Sequence, residues 1–229
     1  MKVIKIHITK PDISEKLSEF VGIMLGDGSM SRIGYTTQIT LNKTYEKPFL
    51  SYISKLIFDL FRINPRVVEI RNKNVIALRL YSCELFDYMK ELGLSSGKIE
   101  KQIPEWVYES EALCNSCIRG LFDTEGSVFL SSRWCVMNFK SSSRHILNGF
   151  KEEMRRIGIP IIESGISINA TSLWKIKKFF YVVGSSNLKH IIKFIEYVDN
   201  KRTIRSDIFI LPLLEKYKNT KLPFYYKGP

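Results

Sequence analysis

A nine-residue segment that occurs twice constrains this chain more than any other feature. Phe20-Val-Gly-Ile-Met-Leu-Gly-Asp-Gly28 returns as Ile118-Arg-Gly-Leu-Phe-Asp-Thr-Glu-Gly126, with Gly22 on Gly120, Ile23 on Leu121, Asp27 on Glu125 and Gly28 on Gly126. Each copy reads as an apolar helix with small residues four apart, Gly22 and Gly26 in the first and Gly120 and Thr124 in the second. Gly22, Gly26 and Gly120 therefore form the expected helix interface, where small residues let two backbones approach closely. Each run ends in a carboxylate followed by Gly, which predicts a left-handed C-cap at Gly28 and Gly126. An acid there opposes the helix dipole at a typical cost of ~0.3–1 kcal/mol. Broken at the same place twice, the rule marks a site. If the helices lie parallel, Asp27 and Glu125 emerge together, and two close carboxylates call for cations between them.

The doubled motif resembles the LAGLIDADG homing endonucleases in their single-chain, pseudo-dimeric form. Lys101-Gln-Ile-Pro-Glu-Trp-Val107 resembles the family's linker. The sixth motif position is Leu25 in one copy and Asp123 in the other, while the eighth keeps its acid in both. The resemblance implies an α/β (α+β) fold of two pseudo-symmetric αββαββα halves that form a saddle-shaped antiparallel sheet. It also implies double-strand cleavage of a long asymmetric DNA site, across the minor groove, to leave short 3′ overhangs. Mg²⁺ is the implied cofactor, with Mn²⁺ as a substitute, held by Asp27, Glu125 and the backbone carbonyls of Gly26 and Thr124. The alternatives are an intron RNA maturase or a non-catalytic DNA-binding relative. Splicing blocks of an intein are not expected in a chain that begins Met-Lys and ends Lys-Gly-Pro.

Charge agrees with a nucleic-acid partner. Lys and Arg number 35 against 23 Asp and Glu, a net charge of +12 in 229 residues. That balance suits a polyanion, nucleic acid first and an anionic membrane a distant second; the resemblance makes double-stranded DNA the expected partner, with intron RNA as an alternative. No apolar run approaches the ~20 residues of a spanning helix, and the start lacks a secretory apolar region. The expected location is intracellular, in the cytoplasm or in an organelle of a eukaryotic host, with the protein acting as a monomer. Cys114-x-x-Cys117 has zinc-ligand spacing but no second pair follows, so packed, reduced thiols are the expectation.

Periodicity divides the chain into residues 1–94, a linker over 95–111 and residues 112–229. Asp12 with Glu15 reads as a capping box for the first helix. Tyr35 to Asn42 alternates as a strand with Ile39 and Leu41 on one face and Gln38, Thr40 and Asn42 on the other. Pro48 to Phe61 is an amphipathic helix. A hairpin follows in which Val68 and Ile70 oppose Glu69 and Arg71, and Ile76, Leu78 and Leu80 oppose Arg79. Ser82 to Leu92 is a helix stopped by Gly93. In the second half, strands are expected over 127–130, 134–140, 161–168 and 172–182, with helices over 145–157 and 186–198. The tail beyond Asp199 is basic, with apolar residues 209–214 packing back.

Strand parity nominates Gln38, Thr40, Arg71, Arg79, Arg133, Asn138, Lys175 and Lys177 as DNA contacts, because a sheet face of such residues can read the major groove. The resemblance further implies a polar or basic residue near a strand end beside each acid. Lys140 lies fifteen residues after Glu125, and Asn42 fifteen after Asp27, so Lys140 is the leading catalytic lysine and Asn42 or Lys43 its counterpart.

Overall fold

The computed structural model describes residues 6–96, 100–131, 134–200 and 210–217. They fall into two compact units that divide between Leu121 and Phe122. The architecture is mixed α/β and antiparallel, as expected, and the described residues form two four-stranded sheets.

Unit 1 runs α1 (Glu15–Gly26), β1 (Gly28–Ser31), β2 (Thr36–Asn42), α2 (Lys47–Phe61), β3 (Arg66–Glu69), β4 (Val75–Tyr81) and α3 (Cys83–Glu91). It then takes in most of α4 (Glu111–Glu125). Its strands lie in the order β1-β2-β4-β3. Ser14, rather than the expected Asp12 and Glu15 pair, caps α1 by accepting from the Leu17 N–H at 3.4 Å. Ser82 caps α3 in the same way, and Gly93 at φ +93 ends it. Burial alternates along β2 as read, with Ile39 and Leu41 at 1% and 3% exposure on the inner face. Phe20, Phe49, Phe61 and Ile53 fill the space between sheet and helices, with Phe20 and Phe61 edge to face at 5.2 Å.

Two expectations for this unit need correction. β1 was not anticipated, because four residues reading Gly-Ser-Met-Ser carry almost no period-two signal. The parity of β3 is inverted: Val68 stands opposite Ala77, on the face of Arg79, and Glu69 stands opposite Ile76. β3 is an edge strand, where one residue of displacement costs little burial. Val67 is accordingly half exposed.

Unit 2 continues from the end of α4 through β5 (Gly126–Ser131), β6 (Trp134–Lys140), α5 (Arg144–Arg156), β7 (Ile162–Ser164) and β8 (Ser167–Ala170). Helices α6 (Leu173–Val182), α7 (Leu188–Asn200) and α8 (Leu211–Tyr217) follow. The strand order β5-β6-β8-β7 repeats that of unit 1. The segment 172–182, expected as a strand for its aromatic and valine content, is α6. Ile176, Phe179 and Phe180 recur at helical spacing and are fully buried, so packing overrides β propensity. Phe139 stacks on Phe150 at 3.9 Å, and Phe122 meets Phe179 at 4.7 Å, which makes the core of this unit largely aromatic. The chain does pack back near its end: Ile210 is fully buried, and Lys216 and Tyr217 both reach Glu196. Phe209 and most of the basic tail lie outside the described residues.

Cys114, Cys117 and Cys135 are buried free thiols, and burial pushes Cys135 up to about 12. No described helix is long and apolar enough to cross a membrane.

Gly28 and Gly126 are not left-handed caps, since neither has a positive φ. They are glycine because the chain turns from helix into strand on the spot. A Cβ at Gly28 would lie 2.4 Å from the Met24 carbonyl oxygen, and one at Gly126 2.3 Å from that of Phe122. Gly22 and Gly120 face a harder limit between helices, where their Cβ atoms would fall 2.1 Å from the Cys117 oxygen and 2.2 Å from the Glu19 oxygen. A Gly22→Ala substitution should therefore lower stability by about 1–3 kcal/mol, read as a reduced urea midpoint at unchanged slope.

His190 supplies a second test. Burial, helped by Lys189 and Lys193, holds its imidazole well below the ordinary range. The unfolded chain takes up that proton near pH ~6.5. Stability is therefore full above that pH and falls as pH drops toward the folded value. Urea unfolding between pH 7.5 and 5 should show this loss, and His190→Leu should flatten it.

Candidate functional site

The residues that organise the site start with the packing of α1 against the 113–121 stretch of α4. With Gly22 against Cys117 and Gly120 against Glu19, the two backbones touch. Polar contacts fix the slide of one helix along the other. Ser18 Oγ donates to the Leu113 carbonyl at 2.6 Å, and Arg119 pairs with Glu19 at 2.8 Å with both side chains buried. Tyr52 Oη donates to the same Glu19 carboxylate at 2.7 Å. Removing one member of such a buried pair leaves an uncompensated charge, so this contact holds one arrangement against others.

That packing aims the end of α1 at a joint. Asp27 is the C-cap residue, half-buried, between the last turn of α1 and the start of β1. Glu125 stands at the same joint in unit 2, as the last residue of α4 before β5 begins at Gly126. Both carboxylates thus sit where a helix hands over to the first strand of a sheet.

Unit 1 places at this joint a residue that the sequence did not nominate. Lys101 Nζ donates to the carbonyls of Leu25, Gly26 and Gly28 at 2.9, 3.1 and 3.0 Å. Three of the carbonyls that bracket Asp27 therefore face one ammonium group, a strong match to the negative end of the helix dipole. A lysine inside a polar linker carries no periodic signal, which is why sequence reasoning passed over it. Its stem runs beside a pocket of about 370 Å³ walled by Met24, Leu25, Met30 and Leu94.

In unit 2 the lysine comes from the sheet. Gly126 pairs with Phe139, and Lys140 is the next residue of β6, at the end of the sheet where Glu125 hands over to β5. Lys140 is exposed at the end of β6, on the face that carries Asn138. In unit 1, Gly28 pairs with Ile39, and the next step is Thr40, whose N–H donates to the Asp27 carbonyl at 3.2 Å. The register counterpart of Lys140 is therefore Thr40. Equal counting from the two acids led to Asn42 because the first hairpin is two residues shorter.

Asn42 and Lys43 are occupied otherwise. Asn42 Oδ1 accepts from the N–H groups of Thr44 and Tyr45 at 2.9 and 3.1 Å, which builds the turn into α2. Lys43 is ion-paired with Glu69 on the edge strand.

Of the nominated contact residues, Gln38, Thr40 and Arg79 share one face of the first sheet and Asn138 lies on a face of the second. Arg79 Nε donates to Gln38 Oε1 at 2.6 Å, and Asn138 Nδ2 to Asn169 Oδ1 at 2.9 Å. Arg71 lies in the turn after β3, and Lys175 and Lys177 lie on helix α6, so these three are not on a sheet face. Arg133 lies outside the described residues. Asp123, the sixth residue of the second motif, is fully buried. It accepts from the Ser185 hydroxyl and from the Ser186 N–H at 2.7 Å. It thereby ties the end of α4 to the turn before α7.

Hard oxygen donors gather at each joint: the carboxylate and the preceding carbonyl, Asp27 with Gly26 and Glu125 with Thr124. Such a set suits Mg²⁺ or Mn²⁺, which complete their shells with water and substrate phosphate. Lys101 already engages the Gly26 oxygen, so a metal at this joint would compete with the ammonium for that carbonyl.

Residues 113–196 match the family model described as a LAGLIDADG-like domain. Among solved structures, mesophilic variants of the homing endonuclease I-DmoI align with a TM-score of 0.53 at 16% identity, covering 76% of this chain and 91% of that one. I-DmoI in complex with DNA and Mn aligns with a TM-score of 0.51 at 14% identity, covering 76% and 99%. The N-terminal LAGLIDADG domain of DUF199/WhiA aligns with a TM-score of 0.53 at 18% identity, covering 74% and 82%. No curated protein matches the chain. At these identities the structural likeness is one of fold. Residues 113–196 are thus similar to a LAGLIDADG-like domain, and the fold is the one found in the homing endonuclease I-DmoI and in the LAGLIDADG domain of WhiA.

Proposed function

We propose that this protein is a divalent-metal-dependent, site-specific double-strand DNA endonuclease of the homing type. The observation that carries the reading is the recurrence of one acid and one lysine at each helix-to-strand joint, Asp27 with Lys101 and Glu125 with Lys140. A fold shared with both I-DmoI and WhiA does not by itself separate a nuclease from a binding protein. The two acids favour the nuclease, because a surface that only binds a polyanion gains nothing from carboxylates at the same position of both units. The neighbour solved with DNA and Mn is I-DmoI, which fits a metal-assisted reaction on DNA here.

Phosphodiester hydrolysis needs an activated water and stabilisation of the charge that develops on the phosphate. Mg²⁺, or Mn²⁺ in its place, would polarise the phosphate and acidify a water. Asp27 with the Gly26 carbonyl would hold such an ion at one joint, and Glu125 with the Thr124 carbonyl at the other. The chain's own residues do the rest. Lys140, exposed at the end of β6 nearest the Glu125 joint, would offset phosphate charge. Lys101 fixes the three carbonyls around Asp27 and keeps that joint from opening. The two sheet faces, with Gln38, Thr40 and Arg79 on one and Asn138 on the other, are offered to the major groove. The net charge of +12 draws the duplex in.

Asp27→Asn and Glu125→Gln should each abolish cleavage of a target selected from a duplex library in Mg²⁺, while gel-shift affinity in Ca²⁺ stays within a few-fold. Cleavage by either variant at the parental rate would overturn the assignment. Tight binding to a structured intron RNA, with no cutting of any duplex, would replace it with a maturase.

Lys101→Met should slow single-turnover cleavage by about a hundredfold, the scale of a catalytic group displaced by ~1 Å, at little change in DNA affinity. An unchanged rate would show that the joint holds Asp27 without this clamp.

A further inference from the structure

One arginine on the first sheet is oriented from within the protein. Arg79 on β4 stands directly opposite Gln38 on β2, and its Nε donates to Gln38 Oε1 at 2.6 Å. Gln38 Nε2 donates in turn to Thr40 Oγ1 at 3.2 Å. The glutamine amide is thus engaged at both ends and works as a brace. It fixes the plane of the guanidinium through one of its five N–H groups, and the contact leaves the two terminal nitrogens to point elsewhere.

A second observation points to an acceptor-rich ligand at the same place. On its other side Arg79 stands directly opposite Arg66 of β3. Like charges in directly opposed positions destabilise a sheet. The protein therefore holds two arginines in directly opposed positions on one face, against local preference, beside a brace that sets the angle of one guanidinium.

We propose that Arg79, held by Gln38, reads a guanine in the half of a DNA target that unit 1 contacts. The inference rests on the DNA-binding reading above. The two terminal nitrogens of a fixed guanidinium match the adjacent O6 and N7 acceptors that guanine alone presents in the major groove. A phosphate would need no such brace, since it accepts from many directions. The corresponding row of the second sheet runs Ser127, Asn138, Asn169 and Ile162 and holds no arginine. The guanine requirement therefore belongs to one half of the target and contributes to its asymmetry.

The test starts with targets selected by the full-length protein from a randomised duplex library in Ca²⁺, which permits binding. One position should be fixed as guanine. Replacing that base by 7-deazaguanine, which lacks N7, should weaken binding about ten- to a hundredfold, while inosine, which keeps O6 and N7, should be tolerated. Arg79→Lys retains the charge without the fork. It should lose discrimination at that position alone, keep the preferences elsewhere, and keep its salt-dependent affinity. Gln38→Ala should blunt the same preference. If Arg79→Lys selects the same guanine with the same strength, the proposal falls and the nuclease reading stands. If the parent protein shows no sequence-selective DNA binding at all, both fall.

Discussion

The contact on which the first unit depends is the meeting of two helix backbones at Gly22 and Gly120. No side chain separates them, so the distance between α1 and α4 is set by main-chain atoms and cannot be tuned by repacking. Dispersion alone would allow the helices to slide. The buried Glu19–Arg119 pair and the Ser18 hydroxyl on the Leu113 carbonyl remove that freedom. Sliding by one turn would strand a charge in an apolar interior, a penalty of several kcal/mol. Position along the axis matters because the end of α1 is where Asp27 stands.

From that joint outward, each unit builds the same object by different means. A helix stops, a glycine lets the chain turn against the preceding helical turn, and a strand begins. A carboxylate is left at the corner, where helix carbonyls concentrate negative potential. Unit 1 answers this potential with an ammonium group from the linker, and unit 2 ends a strand on a lysine at the same end of its sheet as its acid. Such a corner suits a cation, and the chain's net charge of +12 suits a polyanion.

Much of this was legible in the chain itself, and the misses have physical reasons. The doubled motif exposed the pairing of helices and the two acids, because glycine and carboxylate at fixed spacing are rare without cause. Ile39 and Leu41 revealed β2 because its inner face is buried against helices and its outer face is not. β3 was assigned the wrong face because an edge strand has little burial to fix its parity, and Val67 stays half exposed. The segment from Leu173 to Val182 misled because aromatic residues favour both strands and buried helices, and only the three-dimensional core at Phe122 and Phe150 decides between them. Lys101 left no pattern at all. Its role comes from where a linker happens to cross, which no local periodicity encodes.

The unequal hairpins carry a consequence for how such a protein can change. In unit 1 the residue beside the acid pairs eleven positions along the chain, and in unit 2 thirteen, yet the pairing next to the joint is the same. The two hairpins differ in length towards the far tip, while the end near the carboxylate pairs alike. Strand pairing is read outward from the helix, so the tip is a free terminus in all but the covalent sense. Anyone building a chimaera of the two halves, or tracing how one arose from the other, should count from the corner where the helix ends. Numbered from there, insertions that seem to displace the chemistry leave it in place.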